Sequence, residues 1–209
     1  MQARNTPSRR GSAQADSRRR MKPDARIHAA LLRGINVGGK NKLPMKSLTE
    51  LFVEAGCSDV RTYIQSGNVV FSAPDRIARR ISVLISGAIL ARFGLRVPVV
   101  TRTAAELREV VRNNPFLRAG ADAGTLHVAF LATLPDPSKL AVLDPKRSPP
   151  DAFAVHGREI YLHCPNGMGR TKLSNAYFDS KLGTISTVRN WRTVLHLLEE
   201  TTESSSARS

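Results

Sequence analysis

The sequence is poor in the residues that usually announce chemistry. Cysteine occurs only twice, as Cys57 and Cys164, with no CxxC spacing, which speaks against a disulfide framework and a cysteine zinc site and fits a reducing cytoplasm. The five histidines are scattered and none sits in an HExxH pair. His163 and Cys164 are neighbours, and neighbours on a strand point to opposite faces, so they cannot form a close catalytic pair through that strand. The reading therefore assigns no metal and no cofactor. Aromatic residues are sparse at 5%. Long apolar runs are missing as well: Ile81–Ile85 is too short, and too closely flanked by arginines, to cross a membrane.

What is present is a sizeable core and an excess of one charge. The chain has 209 residues, 41% of them hydrophobic, and a formal net charge of +15. Eight basic against two acidic side chains in the first 26 residues account for +6 of that, so the remainder is also clearly basic. A basic surface favours phosphorylated ligands, nucleic acid or anionic lipid heads, or is a solvated face with no partner. Residues 1–24 are rich in Arg, Ser, Ala and Gln and cannot bury enough surface to offset their ordering entropy, which predicts a disordered basic tail. Ser17–Lys22 resembles a twin-arginine export signal in part, without the apolar stretch such a signal needs. Met21 offers an alternative start.

Hydrophobic periodicity predicts a first strand over Ile27–Ile35, a helix over Met45–Ala55 stopped by Gly56, strands at Val60–Ile64 and Asn68–Ser72 and a long helix over Ile77–Phe93. A strand at Leu95–Thr101 closes the unit. The two middle strands are joined across Gln65-Ser66-Gly67, as a hairpin or as one bulged strand. The order β-α-β-β-α-β is the split βαβ, or ferredoxin-like, unit. A linking helix over Ala104–Asn113 follows. Strands at Thr125–Thr133, Ala152–Val155, Glu159–His163 and Gly183–Thr187, with helices at Pro137–Leu143, Lys172–Leu182 and Trp191–Glu200, then repeat the pattern. The fold class is α+β, with two ferredoxin-like halves at 25–102 and 103–200, antiparallel sheets and a frayed terminus from Thr201.

Three polar clusters interrupt this pattern. In Arg33-Gly34-Ile35-Asn36-Val37-Gly38-Gly39-Lys40-Asn41-Lys42, glycines and basic side chains follow the first strand. Gly34, Gly39 and Lys40 match G-x4-G-K, but Asn41 stands where a magnesium-holding Ser or Thr is required, and Pro44 delays the helix until after Leu43. Two readings remain: an anion nest helped by Arg33, Lys40 and Lys42, or a tight strand-to-helix turn with solvated lysines. The second cluster, Arg61-Thr62-Tyr63-Ile64-Gln65-Ser66-Gly67-Asn68, lies beside the first strand in a ferredoxin-like sheet, or is plain turn chemistry. The third pairs Pro165–Ser174, a second glycine-and-cation turn before a helix, with Thr187–Thr193, where Asn190 caps a helix and Trp191 serves as a packing anchor.

Together, Leu31–Asn41, Arg61–Phe71 and Thr187–Val194, with Leu126–Leu131 and Ile160–Leu162, closely resemble signatures of a bacterial family of unknown function, the one numbered 1697. The resemblance implies a cytoplasmic protein of two ferredoxin-like halves. It brings no reaction or catalytic residue. Val188 and Arg192 depart from the family pattern, which tends to Thr and Asn there. The expected activity is binding of an anionic ligand, a phosphorylated small molecule or nucleic acid. Candidate ligand residues are Arg33, Asn36, Gly38, Gly39, Lys40, Lys42, Gln65, Ser66, Asn68 and Arg189. The alternatives are a transferase or hydrolase, with Tyr63 or Ser66 as the reactive hydroxyl, and a purely structural or protein-interaction module. No His or carboxylate partner for such a hydroxyl is apparent in the sequence.

Overall fold

In the computed structural model, residues 25–206 are described, with side chains to Glu203; the expectations for the basic tail lie outside these residues. The first half contains β1 (Ala25–Leu32), α1 (Met45–Glu54), β2 (Ser58–Tyr63), β3 (Asn68–Pro74), α2 (Asp75–Ala78), α3 (Ile81–Phe93) and β4 (Val99–Thr103). Next come α4 (Ala104–Arg112) and α5 (Pro115–Arg118). The second half then has β5 (Leu126–Leu131), α6 (Pro137–Leu140), β6 (Ala152–His156), β7 (Glu159–His163), α7 (Asn175–Leu182), β8 (Ser186–Asn190) and the closing α8 (Trp191–Ser206).

The two sheets have the same design. One is ordered β2-β3-β1-β4 and the other β6-β7-β5-β8, and every pairing is antiparallel. This is the split βαβ arrangement twice over. The registers set up a residue-by-residue correspondence between the halves. Leu32 pairs with Val99 as Leu131 does with Ser186, Ala29 with Arg102 as Val128 with Arg189, and Leu31 with Asn68 as Phe130 with Glu159.

Several boundaries differ from the sequence reading for identifiable reasons. The helix expected over Ile77–Phe93 is broken into α2 and α3 at Arg79–Arg80. Gly183 does not open a strand; with φ +66° it caps the C-terminus of α7, moving β8 on to Ser186–Asn190. Residues 64–67 form a true hairpin turn, while the bulge lies earlier, between Ser58 and Arg61. Helix α8 continues past Thr201 because Thr201 is buried and its hydroxyl, like that of Thr202, donates to Leu198 O.

Alternation along the strands gives each sheet two apolar faces, and three cores result. On one side of the first sheet, Leu32, Val69 and Phe71 pack with Leu48 and Phe52 of α1 and Ile85 and Ile89 of α3. On one side of the second, Leu131, Ile160 and Leu162 meet Phe178 and Leu182 of α7. The remaining faces share a central core, in which Leu107 and Val110 of α4 and Trp191, Val194 and Leu197 of α8 lie with Ala29, Leu31, Val100, Val128 and Phe130. Trp191 is buried there as the anchor its position predicts, and Tyr161 Oη donates to Val110 O at 3.0 Å. The halves therefore share one hydrophobic layer, and the end of each first strand lies against the other half. Among the described residues, no helix is long and apolar enough to cross a membrane.

Candidate functional site

Each half sends an arginine from its fourth strand into the other half. Arg102, next to last in β4, donates from Nε to Glu159 Oε1 at 2.7 Å and from its terminal nitrogens to Thr101 O (2.7 Å), Leu131 O (2.8 Å) and Arg158 O (3.0 Å). Arg189, next to last in β8, makes the corresponding set. Its Nε donates to Asn68 Oδ1 at 2.5 Å, and its terminal nitrogens to Val188 O (2.8 Å), Leu32 O (2.6 Å) and Gly67 O (3.3 Å). Thr187 Oγ1 takes the last proton of the fork at 2.7 Å. The partners match position for position: Glu159 with Asn68, Leu131 with Leu32, Arg158 with Gly67.

The chemistry of the two positions differs. Arg102 is fully buried beside a carboxylate; burial lowers its pKa, and the charge of Glu159 offsets part of that. Arg189 is buried to 8% exposure beside a neutral amide, and burial alone lowers its pKa to about 10. It remains a cation at neutral pH, and no carboxylate among the described residues is bonded to it. The difference extends one layer outward. Near Arg102 the Arg158 guanidinium is paired with Glu106, which also closes the capping box of α4 with Thr103. At the corresponding places near Arg189 stand Gly67 and Thr193, and Asn190 caps α8 by accepting from the Thr193 N–H at 2.8 Å. Gly67 has no room for more: at φ +80° its Cβ would meet Leu32 Cβ at 2.7 Å.

Small neutral residues in place of an ion pair leave space. An open cleft of roughly 430 Å³ lies over Arg189, lined by Arg33, Gly34, Val37, Ile64, Ser66, Asn175, Thr187, Asn190 and Thr193 among others. The first turns of α7 and α8 contribute Asn175 and Thr193, so two helix N-termini, with their partial positive charge, border it. Arg33 on its wall is paired with Asp179 of α7 and donates to Ser186 O at 3.1 Å. Asp179 Oδ1 in turn accepts from the Ser186 N–H at 2.8 Å and from Ser186 Oγ at 2.7 Å.

The glycine stretch after β1 is a miniature hairpin. Val37 and Lys40 form an isolated bridge, Asn36 N donates to Asn41 O at 3.1 Å, and Gly38 and Gly39 turn the chain at φ +56° and +75°. Successive positive φ values are the mark of a type I′ turn, which explains the paired glycines. The N–H groups of Asn36 and Lys40 are spent within the hairpin. The Asn36 side chain fastens it down, donating to Leu43 O and Gln65 O at 2.9 Å and accepting from Leu43 N at 2.8 Å. The loop between β5 and α6 runs only from Ala132 to Asp136, so the hairpin is an addition to the first half.

The nominated residues thus fall into separate places. Arg33, Ser66 and Arg189 line the cleft, and Asn68 lies beneath it holding Arg189. Asn36, Gly39, Lys42 and Gln65 line a second hollow of roughly 420 Å³, while Gly38 and Lys40 are exposed at the hairpin tip. Tyr63 lies against His196 of α8 with the rings tilted by 33° and their centroids 3.6 Å apart, at another hollow. The Ser66 hydroxyl accepts from Asn68 Nδ2 at 3.1 Å. In the third cluster, Lys172 N donates to Ser148 Oγ at 3.0 Å and Ser174 caps α7. Thr187, Asn190, Thr193 and Asn175 belong to the cleft but were not singled out from sequence as ligand residues. The signal that could have found them is the repeated pattern of an arginine followed by a capping residue, Arg102-Thr103 and Arg189-Asn190. No group of three or more His, Cys, Asp or Glu placed to hold a metal ion occurs among the described residues.

Fold and site define a duplicated ferredoxin-like protein with one arginine site closed by a carboxylate and one left open. The chain belongs to the family described as Protein of unknown function (DUF1697), whose model matches residues 26–161. That match runs from β1 into β7 and ends before Asn175–Thr193. Among solved structures, the chain is similar to the conserved bacterial protein SP0830 from Streptococcus pneumoniae, at 20% identity and a TM-score of 0.61. The similarity covers 85% of this chain and 99% of that one, and it speaks for the fold. Comparison with curated proteins gives no match.

Proposed function

We propose that the protein is a binding module for an anionic ligand, held in the cleft over Arg189 by Arg189, Arg33, Ser66 and the first turns of α7 and α8. One observation carries this reading: the buried Arg189 cation faces a neutral Asn68 where its counterpart Arg102 faces the Glu159 carboxylate. A desolvated charge without a counter-ion costs several kcal/mol, and an anion entering the cleft recovers part of that. The sequence-based candidates, a phosphorylated metabolite and nucleic acid, are both anions of this kind. The buried free thiols Cys57 and Cys164, raised by burial to about 12 and 11, fit the reducing cytoplasm proposed for it.

The test is to compare thermal unfolding of the wild type and Asn68→Asp with and without added anions at constant ionic strength. Aspartate keeps the shape of Asn68 and places a carboxylate against Arg189. Stabilisation of the wild type by an anion, lost in Asn68→Asp, supports the reading; equal responses of both proteins overturn it.

A further inference from the structure

Resting on that reading, we infer that the ligand is a small monocarboxylate with an apolar body, rather than a phosphate ester. The comparison of the two arginine sites sets the charge. Arg102, Arg158, Glu159 and Glu106 sum to zero, whereas Arg189, Gly67, Asn68 and Thr193 at the corresponding positions sum to +1. The helix N-termini of α4 and α8 are common to both sites and cancel in the comparison. Arg33 and Asp179, present only at the open site, neutralise each other. One negative charge is missing, and in the closed site a carboxylate supplies it.

Hydrogen bonding points to the same kind of group. All five N–H protons of Arg189 are already spent on protein acceptors. The cleft offers hydroxyl protons instead. Thr187 Oγ1 and Ser66 Oγ act here only as acceptors, from Arg189 and Asn68, and the Thr193 hydroxyl has no partner among the described residues. Thr187 and Thr193 are only 1% and 4% exposed, so their hydroxyl protons depend on the cleft for an acceptor. A carboxylate is acceptor-only, with about four lone-pair sites, and satisfies such donors without adding protons of its own.

The mouth of the cleft explains the apolar body. Val37 on the added hairpin is 61% exposed and Ile64 on the β2–β3 turn is 52% exposed, and both line the cleft. Ile64 is also held at φ +47°, a backbone region that a β-branched side chain enters only under strain. A short alkyl or aryl group leaving the carboxylate would lie against these two side chains, and about 430 Å³ is within the range of small-molecule sites.

Four probes at equal ionic strength test this: hexanoate, acetate, methyl phosphate and dimethyl phosphate, read by thermal shift and calorimetry on the full chain. Hexanoate is expected to raise Tm by about 5–10 °C at a hundredfold excess over Kd, with acetate weaker and both phosphates weaker still. Asn68→Asp and Thr193→Val should each abolish or strongly reduce the shift. Val37→Ser combined with Ile64→Asn should weaken hexanoate about tenfold while leaving acetate unchanged. Tighter binding of either phosphate that Asn68→Asp abolishes would overturn the carboxylate assignment and leave the anion-binding reading standing. A wild type that responds to none of the probes, or an Asn68→Asp variant that responds like the wild type, would overturn both.

Discussion

Arg102 and Arg189 occupy corresponding places, reach across the same shared layer and bond to corresponding carbonyls, yet among the described residues only Arg102 has its charge answered. At Arg102 the fold supplies everything: Glu159 takes the guanidinium, and the Arg158–Glu106 pair stands next to it. At Arg189 the same scaffold carries Asn68, Gly67 and Thr193, and a cleft is left where the second ion pair would stand. Duplication lets the first site act as an internal reference for the second. What departs from the reference is a loss of charge and bulk together with an added hairpin, and all of it surrounds one cation.

The largest effect is expected from making the closed site resemble the open one. Glu159→Gln would leave Arg102 buried without its carboxylate, and urea unfolding should show a loss of about 3 kcal/mol. The reverse change is smaller and of opposite sign. Asn68→Asp should raise stability by about 1 kcal/mol in the same assay, because the gained charge-assisted bond to Arg189 outweighs the lost donations from Asn68 Nδ2 to Tyr63 O and Ser66 Oγ. A drop of 2 kcal/mol or more would mean that the charge of Arg189 needs no carboxylate beside it. Arg158→Ala should cost less, under about 1 kcal/mol, since Arg158 and Glu106 are both partly exposed and water screens their pair.

The comparison also extends to a pair of histidines. His28 on β1 and His127 on β5 correspond by register, since they pair with Thr103 and Asn190 respectively. Burial lowers both below the ordinary 6.5. His28 stacks on Phe71 and its Nε2 is buried without a hydrogen-bond partner among the described residues; the charges of Asp75 and Glu106 partly restore its pKa, as the backbone carbonyl of Thr125 does for His127. Between the lowered values and 6.5 the unfolded chain binds more protons than the folded one, so stability is full above that window and declines as pH falls through it. His28→Phe and His127→Phe should each flatten the acid side of the Tm–pH profile, and an unchanged slope in both would refute the assignment.

Much of the fold was legible because it rests on local chemistry. Glu159–His163 carries the short apolar centre Ile160-Tyr161-Leu162, Gly94 and Gly56 stop helices at positive φ, and the order of elements spells the split βαβ unit twice. One boundary that moved depended on a glycine with two possible roles: Gly183 reads equally as a strand start or a helix cap until α7 is in place. Among the site residues, Arg33, Ser66, Asn68 and Arg189 stood out in sequence as polar interruptions of apolar segments. Their division of labour did not, because Asn68 meets Arg189 across 121 positions and Arg33 meets Asp179 across 146. The glycine-lysine stretch drew attention for its composition, yet its glycines are explained by the hairpin turn. Its contribution to the cleft wall is made by Arg33, Gly34 and Val37. Arg102 passed unnoticed because the repeated pair of an arginine and a capping residue, Arg102-Thr103 and Arg189-Asn190, is only two residues long and gains its meaning once the strand registers align the halves.

The most direct test of the central claim is where an anion settles. Crystals grown without carboxylate or phosphate buffers and soaked in sodium bromide would report this by anomalous scattering. The account predicts a bromide peak in the cleft bordered by Ser66, Thr187 and Thr193, and none beside Arg102. A cleft without bromide while exposed lysines such as Lys40 are decorated, or equal peaks at both arginines, would contradict it.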